Sequence, residues 1–259
     1  MKTTPRLFLD QPLAANREIA LARDQAHYLA NVLRLVGGDP VRIFNSSDGE
    51  WLAYLTTVSK KQVAVRCEKR VAEASPPPNI DYLFAPLKHA RLDYVVQKAT
   101  ELGVRRLRPI ITARTVAGRV NLDRMRANVI EAAEQCNLVA VPEVLEPAKL
   151  ENVIAGWEAG RALVYCDETA AIANPIAALS RLKPPAAVLI GPEGGFTDGE
   201  KALLKSCSFV TAISLGPRIM RADTAAVAAL TLVQATLGDW QSLPNSPKSS
   251  APRQPGSKL

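Results

Sequence analysis

Val188-Leu189-Ile190-Gly191-Pro192-Glu193-Gly194-Gly195-Phe196 and, further on, Ser214-Leu215-Gly216-Pro217-Arg218-Ile219-Met220-Arg221-Ala222-Asp223-Thr224-Ala225 decide how this chain is read. Each begins in a short apolar run and leads into a helical pattern, so each is a strand-to-helix turn. In an open α/β sheet, ligands sit outside the carboxyl ends of the strands. Two such turns close in sequence are placed to line one pocket with backbone N–H and C=O groups. Their glycines permit positive φ and close approach of the backbone to a flat ligand. Taken alone, the Gly191–Gly195 loop reads equally well as a tight turn kept for packing.

Working outward, strands and helices alternate on both sides of these turns. Strands are expected at Ile80–Ala85, Leu107–Ile111, Leu163–Cys166, Ala186–Ile190 and Val210–Leu215. Helices are expected at Arg91–Leu102, stopped by Gly103, and at Asp123–Cys136. Another runs from Ile172 to Leu182 with an early interruption at Pro175, and a last one from Thr224 to Leu237, ended by Gly238. Thr197-Asp198-Gly199-Glu200 is a capping-box sequence that starts a further helix. This pattern predicts an α/β domain with a mostly parallel sheet.

Ser75-Pro76-Pro77-Pro78 marks a stiff linker. Before it, Arg6–Leu9, Pro40–Phe44, Trp51–Val58 and Gln62–Cys67 read as strands, with one helix from about Asp24 to Leu35 ending at Gly37-Gly38. The expected organisation is a small β-rich unit over 1–74, an α/β domain over 79–240 and a disordered basic tail over 241–259. That tail is rich in Ser and Pro and carries Lys248, Arg253 and Lys258 without any acid.

The chain has 259 residues and a net charge of +7, a balance that favours polyanionic partners such as nucleic acid. Basic residues cluster at Lys60, Lys61, Arg66, Lys69 and Arg70, and again from Lys88 through Arg119. Neither a signal-peptide core nor a membrane-length apolar run is present, so a cytoplasmic protein is expected. The 4 cysteines form no CxxC pair, and the 2 histidines, His27 and His89, are scattered; no metal site is expected. No GxGxxG and no GxxxxGK[ST] occurs, which leaves a Rossmann site and a P-loop unsupported.

The two turns, with Arg221 and Asp223 after the second, resemble the RsmE family of the SPOUT superfamily, the small-subunit rRNA uridine-N3 methyltransferases. Other stretches match in order. His27 with Val32-Leu33-Arg34 and Gly38-Asp39 resembles the family's N-terminal barrel motif. Gln97-Lys98-Ala99-Thr100-Glu101-Leu102-Gly103-Val104 resembles its early catalytic-domain helix, and Glu131-Ala132-Ala133-Glu134-Gln135-Cys136 its next helix. The chain departs from the family at Asn137-Leu138, where Gly-Arg is usual, and at Asp223, where a glutamate is usual.

The resemblance implies a PUA-like barrel followed by a SPOUT domain with a C-terminal trefoil knot. It implies a homodimer acting on 16S rRNA, within the small ribosomal subunit or its precursor, with S-adenosylmethionine bent in the knot. Ile190, Gly191, Gly195, Leu215, Gly216, Ile219, Met220 and Ala225 are the expected cofactor contacts; core packing is the competing reading for Ile219 and Met220. Arg221, Asp223 and Glu193 are the catalytic candidates. Arg221 would stabilise charge on the uracil carbonyls, or else clamp a phosphate or brace the turn by pairing with Asp223 or Glu193. Glu193 would accept from the uracil or the ribose, or serve only the turn. Arg34, Arg91, Lys98, Arg114 and Gln135 are the expected RNA contacts, and His27 is expected to pack in the barrel. A non-catalytic rRNA-binding assembly factor and a ribose 2′-O-methyltransferase are the alternative functions.

Overall fold

The computed structural model describes residues 4–59, 62–88, 90–116, 119–170 and 174–241. Lys60, Lys61, His89 and the expected tail beyond Gln241 lie outside the described residues.

Strands β1 (Arg6–Phe8), β2 (Glu18–Ala20), β3 (Pro40–Asn45), β4 (Gly49–Val58) and β5 (Val63–Ala72) form a five-stranded sheet in the order β1-β3-β4-β5-β2. β1 runs parallel to β3, and the other pairs are antiparallel. Three register shifts along β4 and β5 curl the sheet. Its concave side encloses Leu7, Ile19, Val41, Ile43, Ala53 and Val65. β2 was not anticipated, because three residues with one apolar position give no alternation to read.

The first helix is shorter than expected. α1 (Arg23–His27) passes into a wider π turn over Tyr28–Val32 that buries Leu29. The chain reverses at Arg34, with φ 54, before Gly37-Gly38 is reached. Leu35 N then donates to Leu29 O at 3.0 Å. His27 is exposed rather than packed in the barrel, and its Nδ1 accepts from Asn31 Nδ2 at 2.9 Å.

After the proline linker comes a seven-stranded sheet. Its strands are β6 (Ile80–Phe84), β7 (Arg106–Ile111), β8 (Glu143–Val144), β9 (Ala148–Lys149), β10 (Ala162–Cys166), β11 (Ala186–Ile190) and β12 (Val210–Ile213). The order is β12-β10-β11-β6-β7-β8, with β9 also on β7, and every pair is parallel. β6 and β11 are buried along their whole length, as central strands covered on both faces must be.

Alternate residues of the strands serve different layers. Ile80, Tyr82, Val164 and Val188 face α2 (Ala90–Glu101), α3 (Leu122–Gln135) and α7 (Ala222–Leu237), meeting Val96, Val129 and Leu230. Leu83, Leu163, Ala187 and Leu189 face α4 (Leu150–Ala155) and α6 (Asp198–Ser206), meeting Val153 and Leu204. α5 (Pro175–Leu179) starts with Asn174 accepting from Ile176 N and Ala177 N, and its proline occupies the first turn, where a missing N–H costs nothing. The expected start of this helix at Ile172 lies outside the described residues.

The amino edge of the sheet is closed by charge. Arg161, 2% exposed, sits 3.3 Å from Asp81 and 3.0 Å from Glu158, and Arg106 engages both acids. Those contacts hold the Glu158 carboxyl down at about 2. The carboxyl edge is left to the loops.

Arg6 joins the two sheets. Its guanidinium pairs with Glu50 at 3.2 Å inside the first unit. It also donates to the carbonyls of Ala133 (2.9 Å), Glu134 (2.9 Å) and Leu138 (3.0 Å) at the C-terminal end of α3. A helix C-terminus presents unpaired carbonyls and partial negative charge, so a fixed cation suits it. Asn137 closes this end at φ 61, a conformation that asparagine adopts more readily than most non-glycine residues.

Candidate functional site

The loops that follow β10, β11 and β12 converge at the carboxyl edge of the sheet around a cavity of about 440 Å³. The β11 loop forms one wall. Its turn is closed by Gly195 N donating to Pro192 O at 2.8 Å, with Gly195 at φ 68. Phe196 then folds back beneath the loop, 4% exposed and edge-on to Tyr165 at 5.3 Å. A Cβ on Gly191 would run into the Phe196 ring, so this glycine is required for packing. A Cβ on Gly195 would meet nothing within 4 Å; there the requirement is positive φ.

Next, the capping box anchors the loop to α6. Thr197 Oγ1 accepts from Glu200 N at 3.3 Å, and Glu200 Oε2 accepts from Thr197 N at 2.8 Å. The other Glu200 oxygen accepts from Ala113 N at 2.8 Å, which ties in the loop after β7. Burial pushes the Glu200 carboxyl up, but these hydrogen bonds outweigh it and leave it below its ordinary value. Arg114, from the same loop, donates to Gly194 O at 2.8 Å.

The β12 loop forms the second wall. Gly216, at φ 112, donates to Ser214 Oγ at 3.3 Å and also faces open space. Leu215, Ile219, Met220, Arg221 and Ala225 complete this side. Ile219 is 92% exposed, which rules out core packing for it. The third wall, Cys166-Asp167-Glu168 after β10, was not anticipated from sequence. Burial pushes the Cys166 thiol up to about 12, so it lines the cavity as a neutral group and not as a nucleophile.

All eight residues expected to face a cofactor lie on this one cavity, together with Glu193 and Arg221. Asp223 stands just behind its wall in the first turn of α7, accepting from Thr224 N at 2.8 Å. The brace considered for Arg221 belongs to another residue. Arg91, at the start of α2, pairs with Glu193 and lies 3.8 Å from Asp223. Arg221 is exposed and makes no ion pair among the described residues.

The expected RNA contacts divide. Arg91 and Arg114 are engaged at the cavity rim as above, and Lys98 pairs with Glu101 at 2.7 Å within α2. Arg34 and Gln135 are exposed, and neither lines the cavity. Among the described residues, no group of three or more His, Cys, Asp or Glu side chains is arranged to hold a metal.

Similarity to known proteins agrees with this geometry. Residues 74–234 match the model of an RNA methyltransferase domain, and residues 21–67 that of an RNA methyltransferase PUA domain. Ribosomal RNA small subunit methyltransferase E of Rickettsia conorii is 32% identical over 88% of this chain and 94% of its own length. The chain belongs to the ribosomal RNA small subunit methyltransferase E family. The family member from Bacillus subtilis is 31% identical over 83% of this chain and 88% of its own length. Among solved structures, a Legionella pneumophila methyltransferase with bound SAM superposes with a TM-score of 0.79 at 30% identity, covering 92% of this chain and 99% of that one. The family member from Neisseria gonorrhoeae, bound to S-adenosyl methionine, gives 0.81 at 25% identity over 92% and 100%.

Proposed function

We propose that this chain transfers a methyl group from S-adenosylmethionine to N3 of a uridine in 16S rRNA, in the cytoplasm, as a homodimer. The observation that carries the reading is the cavity between the β11 and β12 loops in a chain of this family. The cavity fits a nucleoside-containing ligand. Gly195 and Gly216 present backbone at positive φ into open space, and Leu215, Met220 and Ile190 supply apolar surface beside it. This is the mixture of apolar wall and a few fixed polar groups that such ligands require.

When bound, S-adenosylmethionine supplies an electrophilic methyl group on sulfur. The chain's part is to hold donor and acceptor in line and to exclude water. Ile190, Gly191, Gly195, Leu215, Gly216, Ile219, Met220 and Ala225 hold the cofactor. Arg221, exposed at the cavity and without an ionic partner, stabilises negative charge on the uracil carbonyl oxygens as N3 loses its proton. Asp223 and Glu193 fix Arg91, which ties the start of α2 to both loops.

A C-terminal trefoil knot is part of this reading. Its support is the strand order, in which the last strand, β12, lies outside β10 while the following helix returns against α2 and β11. The dimer is supported by large apolar side chains left exposed, Ile219, Tyr94 and Trp240. Arg34 and Gln135, exposed on the surface, remain candidates for RNA contact. The test is methyl transfer in vitro, with labelled S-adenosylmethionine, purified protein and small subunits from cells lacking it. Incorporation at one uridine N3 is expected; incorporation on a ribose, or none, would refute the assignment.

A further inference from the structure

Beside the main cavity lies a smaller recess of about 210 Å³, lined by Pro86, Leu87, Lys88, Val116, Pro192 and Glu193. Pro192 and Glu193 line both spaces and form the wall between them. The recess is built at the carboxyl ends of β6, β7 and β11, with Ala85 N hydrogen-bonded to Ile190 O at 3.1 Å beneath it. Its sides mix apolar and polar surface in nearly equal measure, the apolar part coming from Pro86, Leu87, Val116 and Pro192 and the charged part from Lys88 and Glu193. Leu87 is buried, while Val116 stays 64% exposed at the rim.

The geometry points to this recess as the seat of the acceptor base, with Glu193 on the shared wall as the group that takes its proton. The inference rests on the methyl-transfer reading above and adds to it the place of the substrate. Three observations select a flat pyrimidine as the occupant. The recess adjoins the cofactor cavity across a single pair of residues, so a base seated there lies next to the donor. Its mixture of apolar surface and polar groups suits a base, with apolar faces and a polar edge, withdrawn from the stack, and enzymes that act on bases extrude them into pockets. A carboxylate is the one acid–base group on the dividing wall, where an N–H must be deprotonated.

The step balances as follows. The N3–H bond breaks and the proton goes to a Glu193 carboxylate oxygen. The N3 electron pair forms a bond to the methyl carbon. The carbon–sulfur bond breaks and its electron pair stays on sulfur, which becomes a neutral thioether. Several charged groups surround Glu193. Arg91 faces it from α2, with Asp223 of α7 on the far side of that guanidinium. Lys88 stands across the recess, and Arg218 and Arg221 lie across the cavity. Arg91 is thus a positioning residue here. Its ion pair fixes the Glu193 carboxylate beside the wall until the base arrives.

Binding, a blocked recess and a removed carboxylate each test this. Uridine monophosphate titrated into the protein saturated with S-adenosylhomocysteine should shift the methyl NMR signals of Leu87 and Val116. Shifts elsewhere with these two unmoved would overturn the placement. Val116→Trp should fill the recess, leave calorimetric cofactor affinity unchanged and abolish single-turnover methylation; a rate within threefold of wild type would also overturn it. Glu193→Gln should slow methylation about a hundredfold or more. Its residual rate should climb with pH through the alkaline range, because N3 must then lose its proton to solvent. RNA made with 5-fluorouridine, whose N3–H is more acidic, should restore part of the lost rate. A Glu193→Gln enzyme with the wild-type pH profile and no response to fluorine would refute the proton-accepting role. Failure of the wild-type protein to methylate any RNA would count against the parent reading instead, and the NMR titration would still decide the recess.

Discussion

Gly191→Ala and Gly195→Ala should separate two roles that look identical in sequence. At Gly191 the new methyl group enters the Phe196 ring. That ring is 4% exposed and held edge-on against Tyr165 at 5.3 Å, so it has no free direction in which to move. Overpacking of this kind costs about 1–3 kcal/mol. Disturbing the aromatic pair adds roughly 0.5–1.5 kcal/mol. At roughly 2–4 °C per kcal/mol for a chain of this size, Gly191→Ala should melt about 3–18 °C below wild type. Because the displaced ring carries the β11 loop with it, cofactor affinity should fall about tenfold, or 1.4 kcal/mol. At Gly195 the methyl meets nothing, and only the left-handed backbone resists it, at about 1–2 kcal/mol. Gly195→Ala should therefore melt closer to wild type. Differential scanning calorimetry and titration calorimetry with S-adenosylmethionine read both quantities. Phe196→Leu in the Gly191→Ala background should recover part of the stability, a coupling expected only between residues in contact. If Gly191→Ala retains wild-type melting and affinity, the Phe196 seat is not what fixes the loop.

Arg221→Ala should leave cofactor affinity and stability unchanged, since the side chain is exposed and unpaired, yet slow single turnover at saturating RNA by about a hundredfold or more. Arg221→Lys should rescue poorly, because a point charge does not reproduce a planar fork; full recovery at saturating RNA would reduce Arg221 to a phosphate contact. RNA affinity measured across salt concentrations should fall steeply, as lysines and arginines displace counterions from phosphates, and a flat dependence would remove the basic clusters from the RNA face. Arg6→Leu should destabilise the fold by about 1–3 kcal/mol in urea titrations, because it leaves buried Glu50 with only the half-exposed Arg42 at 3.5 Å and frees three helix-end carbonyls. A loss below about 1 kcal/mol would show that the joint between the sheets does not depend on that ion pair.

The elements legible in sequence were those with sustained periodicity or specific chemistry at their ends. α2, α3 and α7 each carry apolar faces several turns long, and the Thr197–Glu200 capping box fixed the start of α6. β8 and β9 were missed because each has two residues, too few to show alternation, and α4 because its six residues barely exceed one turn. Gly37-Gly38 looked like a helix stop, but the π turn consumes residues faster along the chain and Arg34 reverses it first. The loop residues of the cavity were legible because glycine at a strand-to-helix turn has a limited set of uses. The third wall was not, since Cys166-Asp167-Glu168 carries no glycine or proline, and Asp167 reveals its turn only through accepting from Thr169 N at 2.9 Å. Arg91 and Arg114 were expected as RNA contacts; each also closes a loop, through Glu193 and through Gly194 O, and only spatial neighbours reveal that.

The most direct test of the account is a map of modified nucleotides in 16S rRNA from cells lacking this protein. The account predicts that one N3-methyluridine is lost, that the wild-type gene restores it, and that the Arg221→Ala variant, expressed at the same level, does not. A modification pattern unchanged by the loss of the protein, or a missing ribose methyl in place of a base methyl, would contradict it.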